Sequence, residues 1–161
     1  MLHYLDTGIF IKYFSSDMDD EYKKCSTLID AAQNDSIRIC TSAITLSEVV
    51  YLKRPKIEEH RDPEKFEQFV ETFFKLHFID VIEYDRQIAK ITRQIVRKYR
   101  LNASIDAIHL ASAIRMKADY FNTTDVKFIN KFPERSVNLP DFGKPILLQE
   151  PQLDGHTISL F

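Results

Sequence analysis

Apolar positions along the chain follow two rhythms. Short, nearly uninterrupted runs at residues 2–5, 37–40, 78–82, 119–122 and 146–148 have the length and content of buried strands. Between them the apolar residues recur at helical spacing: from Ile9 to Phe14, after the turn Asp6-Thr7-Gly8, then over 19–34, 42–53, 63–76, 85–100 and 104–117. Pro63 opens one helix and Pro55 follows another, as proline's fixed φ and missing N–H require. Residues 56–62 form a charged connector. Strands that alternate with helices predict a parallel sheet with helices on both faces, since parallel neighbours need crossover connections.

Composition narrows this picture. The chain has 161 residues, 44% of them apolar, enough for one core and too few for two ordinary domains. A single domain over residues 1–150 is expected, with 151–161 as a C-terminal tail. No apolar run approaches the ~20 residues that cross a bilayer, and the start Met1-Leu2-His3-Tyr4-Leu5 does not resemble a secretory signal. The expectation is a soluble cytoplasmic protein with no membrane partner. Cys25 and Cys40 have neither metal-ligand nor redox spacing. A net charge of −2 neither requires nor excludes a nucleic-acid partner, so any such surface must be local.

Four acids stand out against the pattern. Asp6 and Asp125 each follow a strand, and ligands of doubly wound sheets gather outside the carboxyl ends of the strands. Glu48 lies between Ile44 and Leu52 on a helical wheel that otherwise has almost no polar face. Asp106 sits at the start of the apolar helix Ile105-Asp106-Ala107-Ile108-His109-Leu110-Ala111, where the dipole favours an anion. Each acid alone has a local use, as a turn or N-cap residue or in an ion pair. Four such acids together predict a shared site for a compensating cation, because an isolated buried carboxylate is costly.

These segments resemble a known family. Leu5-Asp6-Thr7-Gly8-Ile9-Phe10 is similar to the opening motif of PIN-domain nucleases, and Thr45-Leu46-Ser47-Glu48 to their second acidic block. Asp106-Ala107-Ile108-His109-Leu110-Ala111-Ser112-Ala113 and Thr123-Thr124-Asp125-Val126-Lys127-Phe128 resemble the third and fourth. The resemblance spans residues 2–130 in the family's order, and the last thirty residues add only an edge strand. It implies a three-layer α/β/α fold with a mainly parallel sheet and a homodimer. The implied activity is that of a metal-dependent endoribonuclease, the toxin of a toxin–antitoxin pair, with RNA and an antitoxin protein as partners.

Asp6, Glu48, Asp106 and Asp125 would then be both the catalytic residues and the ligands of one or two Mg²⁺ or Mn²⁺ ions. Asp6 would be the central ligand, with Asp106 sharing the metals, Glu48 on the second ion or its water and Asp125 completing the set. Carboxylates suit such ions, and two of them ~3.5–4 Å apart stabilise the attacking and leaving oxygens of a phosphodiester. Thr7 and Thr123 could position a water or phosphate, or simply satisfy their turns.

A partner surface is also legible. Arg86, Lys90, Arg93, Arg97 and Arg100 recur at steps of four, three, four and three, opposite the apolar stripe Tyr84, Ile88, Ile91, Ile95 and Tyr99. Such a comb suits a nucleic-acid backbone, a solvated helix face or an acidic partner. His109, inside an apolar helix, reads as a core histidine. The chain has only three glycines and no phosphate-binding glycine loop. A receiver-type phosphoacceptor would need an acidic pair after the first strand, which is missing. The remaining alternative is an inactive PIN fold serving as a binding scaffold for RNA or protein.

Overall fold

The computed structural model describes residues 1–102 and 104–153. In chain order the elements are β1 (Leu2–Leu5), α1 (Thr7–Phe14), α2 (Asp20–Gln33), β2 (Arg38–Ser42), α3 (Ala43–Glu48), α4 (Pro63–Phe73), β3 (Ile79–Ile82), α5 (Arg86–Tyr99), α6 (Ile105–Arg115), β4 (Tyr120–Asn122), α7 (Val126–Ile129), β5 (Ser136–Val137) and β6 (Ile146–Gln149). The strands form one sheet in the order β3-β2-β1-β4-β6-β5. Every pairing is parallel except β5 with β6.

Alternation along β1 sends neighbouring side chains to opposite faces. Tyr4 joins a core with Ile88, Ile91 and Ile95 of α5 and with Leu110 and Ile114 of α6. Leu5 joins another with Ile9, Phe10 and Phe14 of α1, Leu28 and Ile29 of α2, and Phe66 and Phe73 of α4. The result is the expected three-layer α/β/α arrangement. Each fully buried isoleucine or phenylalanine contributes roughly 1.5–3 kcal/mol over leaving it in water.

Strand order reverses beside β1: the chain moves from β1 to β2 on one side and later returns to β4 on the other. In open α/β sheets such a reversal splays the outgoing connections apart, and the crevice beyond the carboxyl ends of the two strands is where ligands bind. Asp6 immediately follows β1 and Thr123 immediately follows β4, so both stand at that end of the sheet.

Several boundaries differ from the sequence expectation. Helix α3 stops at Glu48 instead of continuing to residue 53, and Val49 leaves helical geometry with ψ of 71°. It turns inward and is buried, while Val50 and Tyr51 are exposed. Glu48 is therefore a helix-terminal residue and does not interrupt a long helix. The 146–148 strand is not at the edge; it lies between β4 and the two-residue β5, which was too short to show a pattern. Of the expected tail, Pro151 is buried and Leu153 packs on the α1/α2 core, while residues 154–161 lie outside the described residues. No helix among the described residues is long and apolar enough to cross a membrane.

Candidate active site

The four acids reach the crevice by different local routes. Asp6 is the N-cap of α1: its Oδ1 accepts the Thr7 N–H at 2.8 Å, and its Oδ2 accepts the Thr123 hydroxyl at 2.8 Å. Thr123 Oγ1 in turn accepts the Asp125 N–H at 3.0 Å, so one hydroxyl ties the turn after β4 to the acid after β1. Asp125 caps α7 by accepting the Phe128 N–H at 3.0 Å. The capping use of Asp6 and Asp125 is thus real, and Thr123 joins the two caps. Gly8 lies close against this turn, since a Cβ there would stand 2.6 Å from Thr124 Oγ1.

Glu48, at the end of α3, comes in from the β2 side. Its Oε2 accepts the Thr7 hydroxyl at 2.5 Å and lies 2.7 Å from His109 Nε2. The His109 bond, opposed by partial burial and helped by Thr7, holds the Glu48 carboxyl below its ordinary range. Asp106 behaves oppositely. It occupies the first turn of α6 after the Ser104 cap. Burial, then the charges of Asp6 and Asp125, lift its pKa above the usual aspartate value, against the pull of His109 and Lys131. It has no hydrogen-bond partner among the described residues.

The electrostatics therefore join Asp6, Asp106 and Asp125 in one field of excess negative charge, with Glu48 linked to Asp6 through Thr7 and His109. The donors are carboxylate oxygens, the chemistry that Mg²⁺ and Mn²⁺ take. Among the described residues no group of three or more His, Cys, Asp or Glu is already closed around a metal position. Mutually repelling carboxylates are expected to stand apart until a cation draws them in. The residues fit a divalent ion by charge and donor type.

Two features add to the sequence reading. Thr123 satisfies its turn by accepting the Asp125 N–H, and the hydroxyl hydrogens of Thr7 and Thr123 go to the carboxylates of Glu48 and Asp6. His109 is buried, as a core residue should be, but its ring is bound at both nitrogens, with Tyr4 Oη 2.7 Å from Nδ1. The available signal was a cluster of polar groups in apolar segments, Thr7, Thr41, Thr45 and His109, all buried and all in need of partners.

The basic comb is exposed along α5. Arg86, Lys90, Arg93, Arg97 and Arg100 are exposed, and Ile88, Ile91 and Ile95 form the buried stripe opposite. Tyr84 departs from the expectation: it precedes the Asp85 cap and is exposed. Arg100 lies just past the helix in left-handed geometry, φ 53°. From there six residues lead to Asp106, a span of at most roughly 20 Å.

Comparison with known proteins agrees with this fold. A family model described as PIN domain matches residues 3–131. VapBC2 from Rickettsia felis, bound to a DNA fragment from its promoter, superposes with a TM-score of 0.60 at 18% identity, over 93% of this chain and 98% of the other. A toxin–antitoxin complex from Klebsiella pneumoniae gives 0.55 at 24% identity, over 81% and 92%. VapC20 from Mycobacterium tuberculosis, a sarcin-ricin-loop-cleaving toxin, gives 0.57 at 14% identity, over 78% and 92%. At such identities the likeness is one of fold. No curated protein matches the sequence.

Proposed function

The chain belongs to the PIN domain family, and from that premise we propose that it is a divalent-metal-dependent endoribonuclease that hydrolyses RNA phosphodiester bonds as the toxin of a toxin–antitoxin pair. The observation that carries the reading is the convergence of carboxylates at the ends of β1 and β4: Thr123 ties the Asp125 turn to Asp6, Thr7 ties Glu48 to the start of α1, and Asp106 stands near enough to feel the charges of Asp6 and Asp125. Carboxylates held close enough to repel one another are what a cation site requires of its apo state. When bound, Mg²⁺ or Mn²⁺, as one or two ions, would stabilise charge on the attacking and leaving oxygens of the phosphodiester.

The protein's own residues divide the remaining work. Asp6 and Asp106 supply the central carboxylates, with Glu48 and Asp125 completing the set. Thr123 orients Asp6, and Thr7 orients Glu48. The exposed comb from Arg86 to Arg100, whose last member precedes Asp106 by six positions, would hold the RNA backbone, which carboxylates alone would repel. One of the similar folds is a toxin–antitoxin complex, that from Klebsiella pneumoniae, which supports an antitoxin protein as a partner. A single domain over residues 1–150, a homodimer and a cytoplasmic location belong to the same reading.

The test is a nuclease assay of purified protein on structured and single-stranded RNA with Mg²⁺, Mn²⁺ or EDTA. Cleavage should need the metal and should be lost in Asp6→Asn and in Asp106→Asn. Cleavage that persists in EDTA, or survives both substitutions, would rule the reading out. An RNA-binding protein that never cleaves would point to the scaffold alternative.

A further inference from the structure

Three oxygens converge on one nitrogen in the crevice: His109 Nε2 lies 2.7 Å from Glu48 Oε2, 3.2 Å from Thr7 Oγ1 and 3.6 Å from Asp6 Oδ1. Counting the available hydrogens fixes the direction of each bond. Thr41 donates to the Leu5 carbonyl at 2.8 Å, so the Thr45 hydroxyl donates to Thr41 at 2.7 Å. A carboxylate only accepts, so the Thr7 hydrogen goes to Glu48 at 2.5 Å and Thr7 Oγ1 is left as an acceptor. An Nε2 lone pair would face oxygen lone pairs on every side. Nε2 therefore carries a hydrogen, and it donates to Glu48.

The opposite side of the ring is equally fixed. Tyr4 is fully buried, its Oη is 2.7 Å from Nδ1, and its ring stacks on Phe121 at a centroid distance of 5.4 Å. Glu48 needs such support, because it is the last residue of a six-residue helix and its side chain is only partly covered.

We infer that His109 is a positioning residue for the proposed metal site: gripped by Tyr4 at Nδ1, it donates from Nε2 to Glu48 Oε2, orients that carboxylate for the cation, and is not itself a ligand. The cation in this statement rests on the nuclease reading; the bond direction does not. A directly ligating His109 would have to give up both the Nε2 hydrogen and the 2.7 Å contact with Glu48. Partners that orient a metal ligand in this way typically change metal affinity 10–100-fold when removed.

The experiment measures Mn²⁺ binding without RNA, by the loss of the free-ion electron paramagnetic resonance signal, together with the ¹⁵N imidazole spectrum of the metal-free protein. His109→Phe, which keeps the volume and removes the donor, should weaken Mn²⁺ binding about 10–100-fold. His109→Gln, whose amide nitrogen can stand near the place of Nε2, should recover most of that loss. The imidazole spectrum of the wild type should show a hydrogen on Nε2. Wild-type affinity in a folded His109→Phe, no recovery in His109→Gln, or a bare Nε2 would each overturn the inference.

Should His109→Phe fail to fold, Tyr4→Phe, which loses only a hydroxyl, carries the same test. An imidazole spectrum and an Mn²⁺ affinity both unchanged in that variant would overturn the inference. A wild type that neither binds Mn²⁺ nor cleaves RNA overturns the nuclease reading and the metal-positioning role with it. The imidazole spectrum still decides the bond direction in that case.

Discussion

Asp106→Asn should make the metal-free protein more stable and the metal-loaded protein less stable than the wild type. Three effects act on the native carboxylate. Its place in the first turn of α6 favours an anion by about 0.3–1 kcal/mol. Partial burial disfavours the charge, and so do the neighbouring charges of Asp6 and Asp125. Each like charge near a protein surface costs on the order of 0.5–1 kcal/mol after solvent screening. The raised pKa shows that the unfavourable effects win. Removing the charge should then gain about 0.5–1 kcal/mol in EDTA, or roughly 1–4 °C in Tm for a chain of this size.

Mn²⁺ reverses the order. At a hundred times its Kd, a ligand that binds only the folded state adds about 2.7 kcal/mol, roughly 5–10 °C here, and Asp106→Asn should lose most of that gain. The assay is thermal unfolding of both proteins in EDTA and across an Mn²⁺ titration. The curves should cross. A variant below wild type in EDTA, or one that gains as much from Mn²⁺ as wild type does, would refute the reasoning. pH adds a second control in EDTA. The folded pKa of Asp106 lies above its unfolded value, so the wild-type penalty is absent below the ordinary aspartate range and is complete only above the raised value. The variant's advantage should therefore disappear on acidification.

Other perturbations test separate parts of the structure. Changing Arg93, Arg97 and Arg100 together to glutamine should reduce the salt slope of single-stranded RNA binding by about 2, or ~0.7 per lost phosphate contact; an unchanged slope removes the comb from RNA binding. Asp119 accepts the Leu2 N–H at 2.7 Å and pairs with Lys144, and although partial burial opposes them, these bonds hold its pKa below the ordinary range. Asp119→Asn should cost about 1 kcal/mol at neutral pH, a cost that fades as pH falls through the lowered folded value; urea unfolding showing a cost independent of pH would contradict this. Gly8→Ala gains up to ~1 kcal/mol in helix propensity but must displace Thr124 Oγ1, 2.6 Å from the new Cβ and next in sequence to Asp125. Near-wild-type Tm with reduced cleavage is expected, and full cleavage would show that the 123–125 turn can yield without harm.

The elements that sequence revealed and those that it hid differ in a physical way. Strands β1 to β4 and the long helices were legible because parallel strands buried on both faces become short apolar runs, and amphipathic helices repeat their stripe over several turns. Helix α3 was misjudged because its wheel has no polar face to mark an end. At its real end Glu48 is held by distant residues, by Thr7 and by His109, 61 positions away. Strand β5 has two residues and no period to read. The candidate acids could be listed from sequence because an acid in an apolar segment is conspicuous by itself.

His109 could not be assigned in the same way, because what separates a core histidine from one that orients a carboxylate is the identity of its partners. Those partners, Tyr4 at a separation of 105 residues and Glu48 at 61, meet only when β1, the end of α3 and the first turns of α6 are brought together at the point where strand order reverses. The same convergence gives the crevice its asymmetry. On the Glu48 side the carboxylate is bound by a hydroxyl and an imidazole and its pKa falls. On the Asp106 side, with no hydrogen-bond donor found among the described residues, the pKa rises. A cation entering this crevice would therefore gain most by neutralising Asp106 together with Asp6, and Glu48 would meet it already oriented.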